Sequence, residues 1–337
     1  MKHSPGWRLK TMISFDSKNI RTWGLLGIGP SVILAGVAEV MRNNPNAFLI
    51  TADLGRPNGV HKLPEELKDR VFNVGIAEQN MMGVASGMAM EGKQVFALSY
   101  APFITYRCAD QFRHLMGNMK LNIKAIGTAA GFTGCSGGAS LTALSDVGFA
   151  RSVPNVTVIS PADCAEAVKA VLAVSENDGP AYIRLCGYYR LPMVYKSDFD
   201  FTIGKANVLR EGSGVAILAT GANIVGEALK AGEELDATVA DVHTLSPFDG
   251  ELIGRLAETH RLIVTVEEHN IIGGLGSAVA EYISSITYRG GGESLLRIGT
   301  INEALPHVNR THMLEKCGLT APGIISRIRE VYPDSCG

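Results

Sequence analysis

Short apolar stretches of strand length alternate with stretches of helical periodicity along most of the chain. Strands are predicted at residues 47–51, 94–99, 122–127, 156–159 and 181–185. Helices are predicted at residues 31–41, 77–90, 102–116, 142–151 and 162–175. Because parallel strands need crossover connections that helices usually provide, this order predicts an α/β fold, with a mostly parallel sheet and helices on both faces.

The alternation lapses once and then resumes, which divides the chain into two α/β units. We interpret residues 1–22 as an N-terminal extension, 23–187 as the first domain, 188–205 as a linker and 206–337 as a smaller second domain. Strands of the second domain are predicted at 215–219, 237–242, 262–266 and 295–298. Its helices are predicted at 223–234, at 250–259, up to about 284 and from 321 onward.

The composition is typical of a soluble globular protein. The 337 residues are 46% hydrophobic and 19% charged, with a formal net charge of −2, and suffice for two buried cores. Basic residues are dispersed, so nucleic acid is not an expected partner, and no apolar run reaches the ~18 residues of a membrane span. The first residues lack the apolar stretch of a signal peptide, so we expect a cytoplasmic location.

The cysteines give no indication of a metal site. They are scattered, without a CxxC pair or clustering with histidine, which fits free thiols in a reducing compartment. The six positions are Cys108, Cys135, Cys164, Cys186, Cys317 and Cys336.

The stretch from Val74 to Gly87 concentrates the candidate chemistry. Residues 72–74 are predicted to end a short buried strand, and Gly75 allows the chain to turn. The helix that follows has small or apolar residues on nearly every face, so we expect it to be packed on all sides. Glu78 is the exception, a carboxylate in the first turn of a buried helix. Compensation of the helix dipole is one interpretation, and a functional acid is the other.

Two later motifs are given structural interpretations. The loop Gly273-Gly274-Leu275-Gly276 lacks the spacing of a dinucleotide fingerprint, so it is predicted to allow close packing of a helix on a strand. The run Glu267-Glu268-His269-Asn270 resembles an acid–base or metal cluster, but adjacent strand residues point to opposite faces. We therefore expect a solvated or interfacial strand end there.

Four separated motifs together resemble the C-terminal half of a transketolase, in the order that this family shows. The first is VFNVGIAEQNMMGVASGMAMEG, with ADLG upstream, and the others are PNVTVISPADCAEA, GPAYIRL and VEEHNIIGGLGSAVAE. The resemblance covers roughly residues 25–332. It implies a pyrimidine-binding domain followed by a transketolase C-terminal domain, in an enzyme that uses thiamine diphosphate.

The resemblance also implies roles for particular residues. The glutamate of the family's GIAEQN motif falls on Glu78, whose carboxylate would hydrogen-bond N1′ of the aminopyrimidine and so help to activate the thiazolium C2. This requires an acid in a desolvated site. Phe103 would stack on the aminopyrimidine, Tyr106 would border it, and Asp53 is a weaker candidate on the cofactor side.

The resemblance implies a partner subunit as well. Transketolases bind the diphosphate and Mg²⁺ through a GDG…N motif in a domain that has no counterpart in this sequence. The chain thus resembles one subunit of a split transketolase. An N-terminal transketolase-type partner would hold the diphosphate and Mg²⁺, in an α₂β₂-like heterotetramer with Glu78 near a subunit interface.

The substrate side departs from the family pattern. Four positions that carry His, Asp, His and Arg contacts to sugar phosphates in the family are matched here by Ala129, Gly137, Leu141 and Gly187. Each loss of a charged contact removes roughly 1.5–3 kcal/mol. An unphosphorylated or nucleotide-linked sugar is therefore the expected substrate, with Arg107, Arg190 or the partner supplying substitute contacts.

The leading hypothesis is a catalytic subunit, active only with its partner, that transfers a two-carbon ketol or acyl unit. A non-catalytic scaffold or regulatory paralogue is the alternative from another class. Retention of Glu78, Phe103 and Tyr106 argues against it. A third hypothesis is an enzyme like deoxyxylulose-phosphate synthase that uses pyruvate, although its phosphate-binding Arg would also be missing at Gly187.

Overall fold

The computed structural model describes residues 13–285, 294–301, 303 and 308–333. The strands are, in chain order, β1 (Ala47–Thr51), β2 (Val71–Asn73), β3 (Gln94–Tyr100), β4 (Ile123–Ala130), β5 (Thr157–Ile159), β6 (Ala181–Cys186), β7 (Asn207–Arg210), β8 (Val215–Thr220), β9 (Thr238–Asp241), β10 (Thr244–Ser246), β11 (Leu262–Asn270) and β12 (Ser294–Thr300). The α-helices are α1 (Ser17–Leu26), α2 (Ile28–Ser31), α3 (Ala38–Asn43), α4 (Glu78–Met90), α5 (Ala109–Gln111), α6 (Asp146–Ser152), α7 (Cys164–Ser175), α8 (Ile224–Leu235), α9 (Gly250–Thr259), α10 (Leu275–Ser285), α11 (Arg310–Lys316) and α12 (Ala321–Val331).

Turns of π-helix and 3-10 helix complete the helical segments. Turns of π-helix join α2 to α3 at Val32–Val37 and flank α5 at Phe103–Arg107 and Phe112–Asn118. The glycine-rich stretch after β4 forms 3-10 turns at Phe132–Gly137 and Ala139–Leu141.

The first sheet has seven strands in the order β10-β5-β6-β4-β3-β1-β2. All neighbours pair in parallel except β10, which runs antiparallel to β5. The central strands β3, β4 and β6 are almost entirely buried, as expected for a parallel sheet covered on both faces. The predicted α/β fold class is confirmed.

The second sheet has five strands in the order β12-β11-β8-β9-β7, again parallel except for one edge strand, β7. The segment that follows β9 returns to the first sheet as β10, where Thr244 pairs with Ile159. One strand from the second half of the chain thus extends the first sheet, so the two α/β units are joined through this strand.

The structure adds one helix and corrects two local expectations. Residues 17–22 of the predicted extension form the first part of helix α1, which Asp16 caps by accepting a hydrogen bond from the Asn19 backbone N–H. The strand ending near residue 74 was expected to be buried, but β2 is an edge strand and Phe72 is 43% exposed. Helix α4 was expected to be covered on all sides, yet one of its faces is exposed.

Sequence periodicity also missed three short elements, β7, β10 and α11. Strands of three or four residues at a sheet edge contain too few positions for an alternating pattern to be recognised. The cysteines within the described ranges are free, as predicted, and Cys336 lies outside those ranges.

A cluster of buried acids joins α7 to β9 between the two sheets. Glu166 and Asp241 interact there, and the Tyr195 hydroxyl donates to Asp241 Oδ2 at 2.9 Å. Burial raises the pKa of Glu166 well above its ordinary value and raises the pKa of Asp241 to about 7. Because burial and mutual repulsion disfavour two charged carboxylates side by side, the folded protein retains a proton there.

We expect this cluster to make the protein less stable as the pH rises. Carboxyl groups in the unfolded chain lose their protons near pH 4, whereas the folded cluster keeps its proton to about pH 7, so the free energy of unfolding falls between these values, by at most about 1.4 kcal/mol per pH unit for each proton retained. Denaturant titrations from about pH 5 to about pH 8 measure this slope. Glu166→Gln should flatten the slope, whereas Glu233→Gln at an exposed position should not. Equal slopes in the two variants would contradict the assignment.

Candidate functional site

Glu78 lies where β2 passes into α4. Gly75 adopts a left-handed conformation, with φ of 75°, which lets the chain turn sharply after the strand. The helix begins at Glu78 itself, and this side chain is only 3% exposed. The expected buried acid is confirmed, and it lies at a helix N-terminus, where the helix dipole favours a negative charge.

Arg107 provides the counter-charge. Its guanidinium Nη1 lies 2.8 Å from Glu78 Oε2, and its Cζ lies 3.9 Å from the centre of the Phe103 ring. One flat cationic group therefore covers the aromatic face and neutralises the buried carboxylate at once. The backbone carbonyl of Arg107 also accepts a hydrogen bond from the side chain of Gln79, which ties this π-helical turn to α4.

Phe103 and Tyr106 lie in that same turn, which begins after Pro102, directly beyond β3. The Phe103 ring lies 5.8 Å from the Tyr100 ring, at an interplanar angle of 38°. The Tyr106 hydroxyl accepts a hydrogen bond from the Ser145 backbone N–H at 2.8 Å. Burial of that hydroxyl raises the pKa of Tyr106 to about 12, so the group stays protonated. Tyr106 thus links the site to the start of α6.

A buried ion pair between Asp146 and Arg184 holds the start of α6 in place. Asp146 Oδ2 accepts hydrogen bonds from the Tyr182 hydroxyl at 2.7 Å and from Arg184 Nε at 2.8 Å. Arg184 also donates to the carbonyl of Glu268 in β11. Both members of the pair are almost completely buried, so removing either would leave an uncompensated charge. Sequence analysis missed this pair.

The run Glu267-Glu268-His269 was interpreted as solvated or interfacial, and it is interfacial but not solvated. Each of the three residues is 1% exposed. Glu268 Oε1 accepts hydrogen bonds from the Phe132 backbone N–H at 2.7 Å and from Arg310 Nε at 3.0 Å. This carboxylate therefore holds the loop after β4 against the second sheet.

The glycine loop before α10 packs closely, as predicted. Glu267 Oε2 accepts from the Leu275 N–H at 2.7 Å, and Oε1 accepts from the Gly276 N–H at 2.8 Å. A Cβ at Gly274 would lie 1.9 Å from Glu267 Oε2. The helix N-terminus is thus filled by a carboxylate of this chain and has no room for a phosphate.

Asp53 is exposed in the turn after β1, with φ of 58°. Its backbone N–H donates to Asn73 Oδ1 at 2.9 Å, and the Asn73 amide returns a bond to Asp53 Oδ1 at 3.2 Å. This pair of hydrogen bonds fixes the turn after β1 against the end of β2. Its place at the carboxyl end of the sheet leaves Asp53 as a candidate for cofactor contact.

The substrate-side positions separate into different parts of the site. Ala129 and Gly187 line one cavity of about 320 Å³. Arg190 lines another cavity, of about 530 Å³. Gly137 and Leu141 face each other, since a Cβ at Gly137 would lie 2.3 Å from Leu141 Cδ1. Of the two arginines proposed as substitute substrate contacts, only Arg107 lies at Glu78.

Two further features concern metal ligands and helix length. Within the described ranges there is no group of three or more His, Cys, Asp or Glu side chains arranged to hold a metal ion. None of the helices found there is long and apolar enough to cross a membrane.

Comparison with known proteins gives matches over nearly the whole chain. The family description "Transketolase, pyrimidine binding domain" matches residues 32–186, and "Transketolase, C-terminal domain" matches residues 204–324. The two sheets described above lie mainly in these two regions.

Two curated relatives are similar over most of their own length. A protein of Methanocaldococcus jannaschii described as a transketolase C-terminal section is 37% identical over 87% of this chain and 92% of its own. The 6-deoxy-6-sulfo-D-fructose transketolase subunit SqwH of Clostridium sp. (strain MSTE9) is 37% identical over 87% of this chain and 91% of its own. A solved structure titled "Split gene transketolase, inactive beta4 tetramer" has a TM-score of 0.79 and 34% identity, and covers 92% of this chain and 97% of its own.

Proposed function

The chain belongs to the transketolase family, and from this premise we propose that it is the pyrimidine-binding subunit of a split transketolase-like enzyme. The enzyme would transfer a two-carbon ketol or acyl unit and would be active only with a partner subunit. Enzymes of this family use thiamine diphosphate, which supplies a nucleophilic carbon for cleaving and forming carbon–carbon bonds. The domain boundaries given from the sequence are part of the proposal.

The observation that carries the proposal is the slot between Glu78 and Phe103. A carboxylate that is 3% exposed lies within reach of a guanidinium that also stacks on the ring. The slot therefore accepts a flat group that donates to a carboxylate, and an aminopyrimidine has this shape and could share a proton with Glu78. The residues present fit the pyrimidine half of the cofactor. Glu78 would hold a proton at the ring nitrogen, and Phe103 would orient the ring.

Arg107 has to leave this slot before a pyrimidine can enter. Its side chain is 45% exposed, so the guanidinium can swing outward without crossing packed core. While it stays, it holds Glu78 in an ion pair and prevents the carboxylate from sharing a proton with another group. We infer that Arg107 closes the slot in the isolated subunit and withdraws when the cofactor binds.

The exposed face of α4 supports the need for a partner. Gly83, Val84 and Gly87 are exposed on it, and a Cβ at either glycine would meet no atom of this chain within 4 Å. Ile76, just before the helix, is 80% exposed. Small residues four apart on an exposed helix allow another backbone to approach closely, next to the slot. We propose that an N-terminal transketolase-type subunit covers this face and holds the diphosphate with Mg²⁺, in an α₂β₂ assembly.

The non-catalytic scaffold remains the competing function. A scaffold would need the exposed face of α4 but not a buried carboxylate beside an aromatic ring. Burial of an acid costs free energy, which a purely structural helix start can avoid with Ser or Asn. The slot therefore favours catalysis. The proposal extends to a cytoplasmic enzyme whose sugar substrate is unphosphorylated or nucleotide-linked.

We expect Glu78→Ala to abolish transfer by the assembled enzyme without preventing assembly. Losing a positioned acid–base group should lower kcat by a factor of about 10² to 10⁴. Turnover measures the first effect, and sedimentation of the reconstituted complex measures the second. Glu91→Ala, at the exposed far end of the same helical segment, is the matched control and should keep full turnover. Near-normal turnover in Glu78→Ala would show that the acid is misassigned.

We expect Arg107→Met to tighten binding of thiamine diphosphate to the assembled enzyme. Removing the competing guanidinium raises the fraction of open slots, so the dissociation constant should fall by about 3-fold to 10-fold. Isothermal titration calorimetry provides the measurement. Arg113→Met serves as control, because Arg113 is exposed and pairs only with Asp110 among the contacts described. Weaker binding in Arg107→Met would mean that the guanidinium stays in place beside the bound cofactor.

A further inference from the structure

A cavity of about 320 Å³ lies at the carboxyl ends of β3, β4 and β6. Tyr100, Tyr188 and Tyr189 contribute to its walls, together with Thr128 and Ala129 at the end of β4. We call it the tyrosine cavity. It is large enough for a substituent of about ten non-hydrogen atoms, given that small-molecule pockets range from about 300 to 1,000 Å³.

The tyrosine cavity adjoins the slot proposed for the pyrimidine. Tyr100 lines the cavity, and its ring contacts Phe103, which forms one wall of the slot. A molecule that reacts at the slot therefore has the cavity beside it. The inference that follows rests on the proposed function, because the slot defines where the reacting carbon lies.

No charged side chain of the described residues lines the tyrosine cavity. A phosphate or sulfonate placed there would lose its hydration without gaining a cationic partner, which costs several kcal/mol. Anion sites in proteins normally supply Arg, Lys or a row of backbone N–H groups. The side chains that line the cavity therefore offer an anionic substrate end no cationic partner.

The chain conformation places Arg190 in a different cavity. Gly187 has φ of 82°, and a Cβ there would lie 2.5 Å from Leu191 Cδ2, so a larger residue would be strained at this position. Three residues on, Arg190 lines the neighbouring cavity with Arg21 and Lys196. The segment thus presents its tyrosines to one cavity and its cation to the other.

Tyr188 and Tyr189 are 50% and 61% exposed, so their rings are available for contact with a ligand. We propose that the tyrosine cavity binds the uncharged, apolar end of the acceptor aldehyde, with an aryl or alkyl substituent packed against these rings. Tyr189 is then a specificity-determining residue. The reaction must serve an aldehyde that carries its hydrophobic group a few bonds from the carbonyl.

Hydroxypyruvate can serve as the donor of the two-carbon unit. Its bond between C1 and C2 breaks, and the carboxylate leaves as CO₂. The remaining two-carbon unit forms one new bond to the aldehyde carbon of the acceptor, and the aldehyde oxygen takes up a proton. No external oxidant or reductant is needed.

The test uses the reconstituted enzyme with hydroxypyruvate and two acceptors, 3-phenylpropanal and glyceraldehyde 3-phosphate. We expect kcat/KM to be at least about 10-fold higher for the phenyl acceptor. Tyr189→Ala should lower kcat/KM for that acceptor alone, and Tyr189→Arg should raise it for the phosphorylated one. Leu25→Ala, in the neighbouring cavity, should change neither value. A preference for the phosphorylated acceptor by the wild-type enzyme would overturn the inference.

A binding experiment on the chain itself separates this inference from the proposed function. Saturation-transfer NMR should detect 3-phenylpropanol bound to the wild-type chain and to Leu25→Ala, with much weaker transfer in Tyr189→Ala. Inorganic phosphate should not displace it. If the alcohol binds this way but the reconstituted enzyme releases no CO₂ from hydroxypyruvate with any acceptor, unphosphorylated sugars included, the proposed function fails and the site remains. Absence of alcohol binding, or displacement by phosphate, would overturn the site.

Discussion

The ion pair between Glu78 and Arg107 holds the site in shape while Glu78 has no other partner. A carboxylate removed from water costs several kcal/mol unless a partner compensates it, and here a guanidinium and a helix N-terminus do so. Because that guanidinium also stacks on Phe103, the pair defines a flat space with one polar edge and one aromatic face. The chain thus maintains the shape of the slot that we propose for the pyrimidine ring.

The second half of the chain makes this slot rigid. Glu268 and Arg310 hold the loop that follows β4, and the buried pair of Asp146 and Arg184 fixes the start of α6. The Tyr106 hydroxyl accepts a hydrogen bond from Ser145, just before α6, so the contacts between the sheets also support the wall of the slot. The return of β10 to the first sheet joins the two halves further.

Periodicity alone predicted much of the fold, since β1 and α9 were predicted with the bounds that the structure shows. The burial of Glu78 also followed from the sequence, because a single acid interrupts an otherwise apolar helix. The exposed face of α4 was not predicted. An apolar pattern indicates that a helix face is suited to burial, but it does not indicate which chain buries it. The burial of Glu268 escaped prediction because its partner, Arg310, lies in a separate element 42 residues away. Charge pairs between distant elements leave no periodic signal.

We propose that the slot at Glu78 becomes a complete cofactor site only when a second subunit covers α4. The sharpest test is differential scanning fluorimetry with thiamine diphosphate and Mg²⁺, on the isolated chain and on the reconstituted pair. We expect no change in the melting temperature of the isolated chain and a clear rise for the pair. A clear rise for the isolated chain would overturn the proposal.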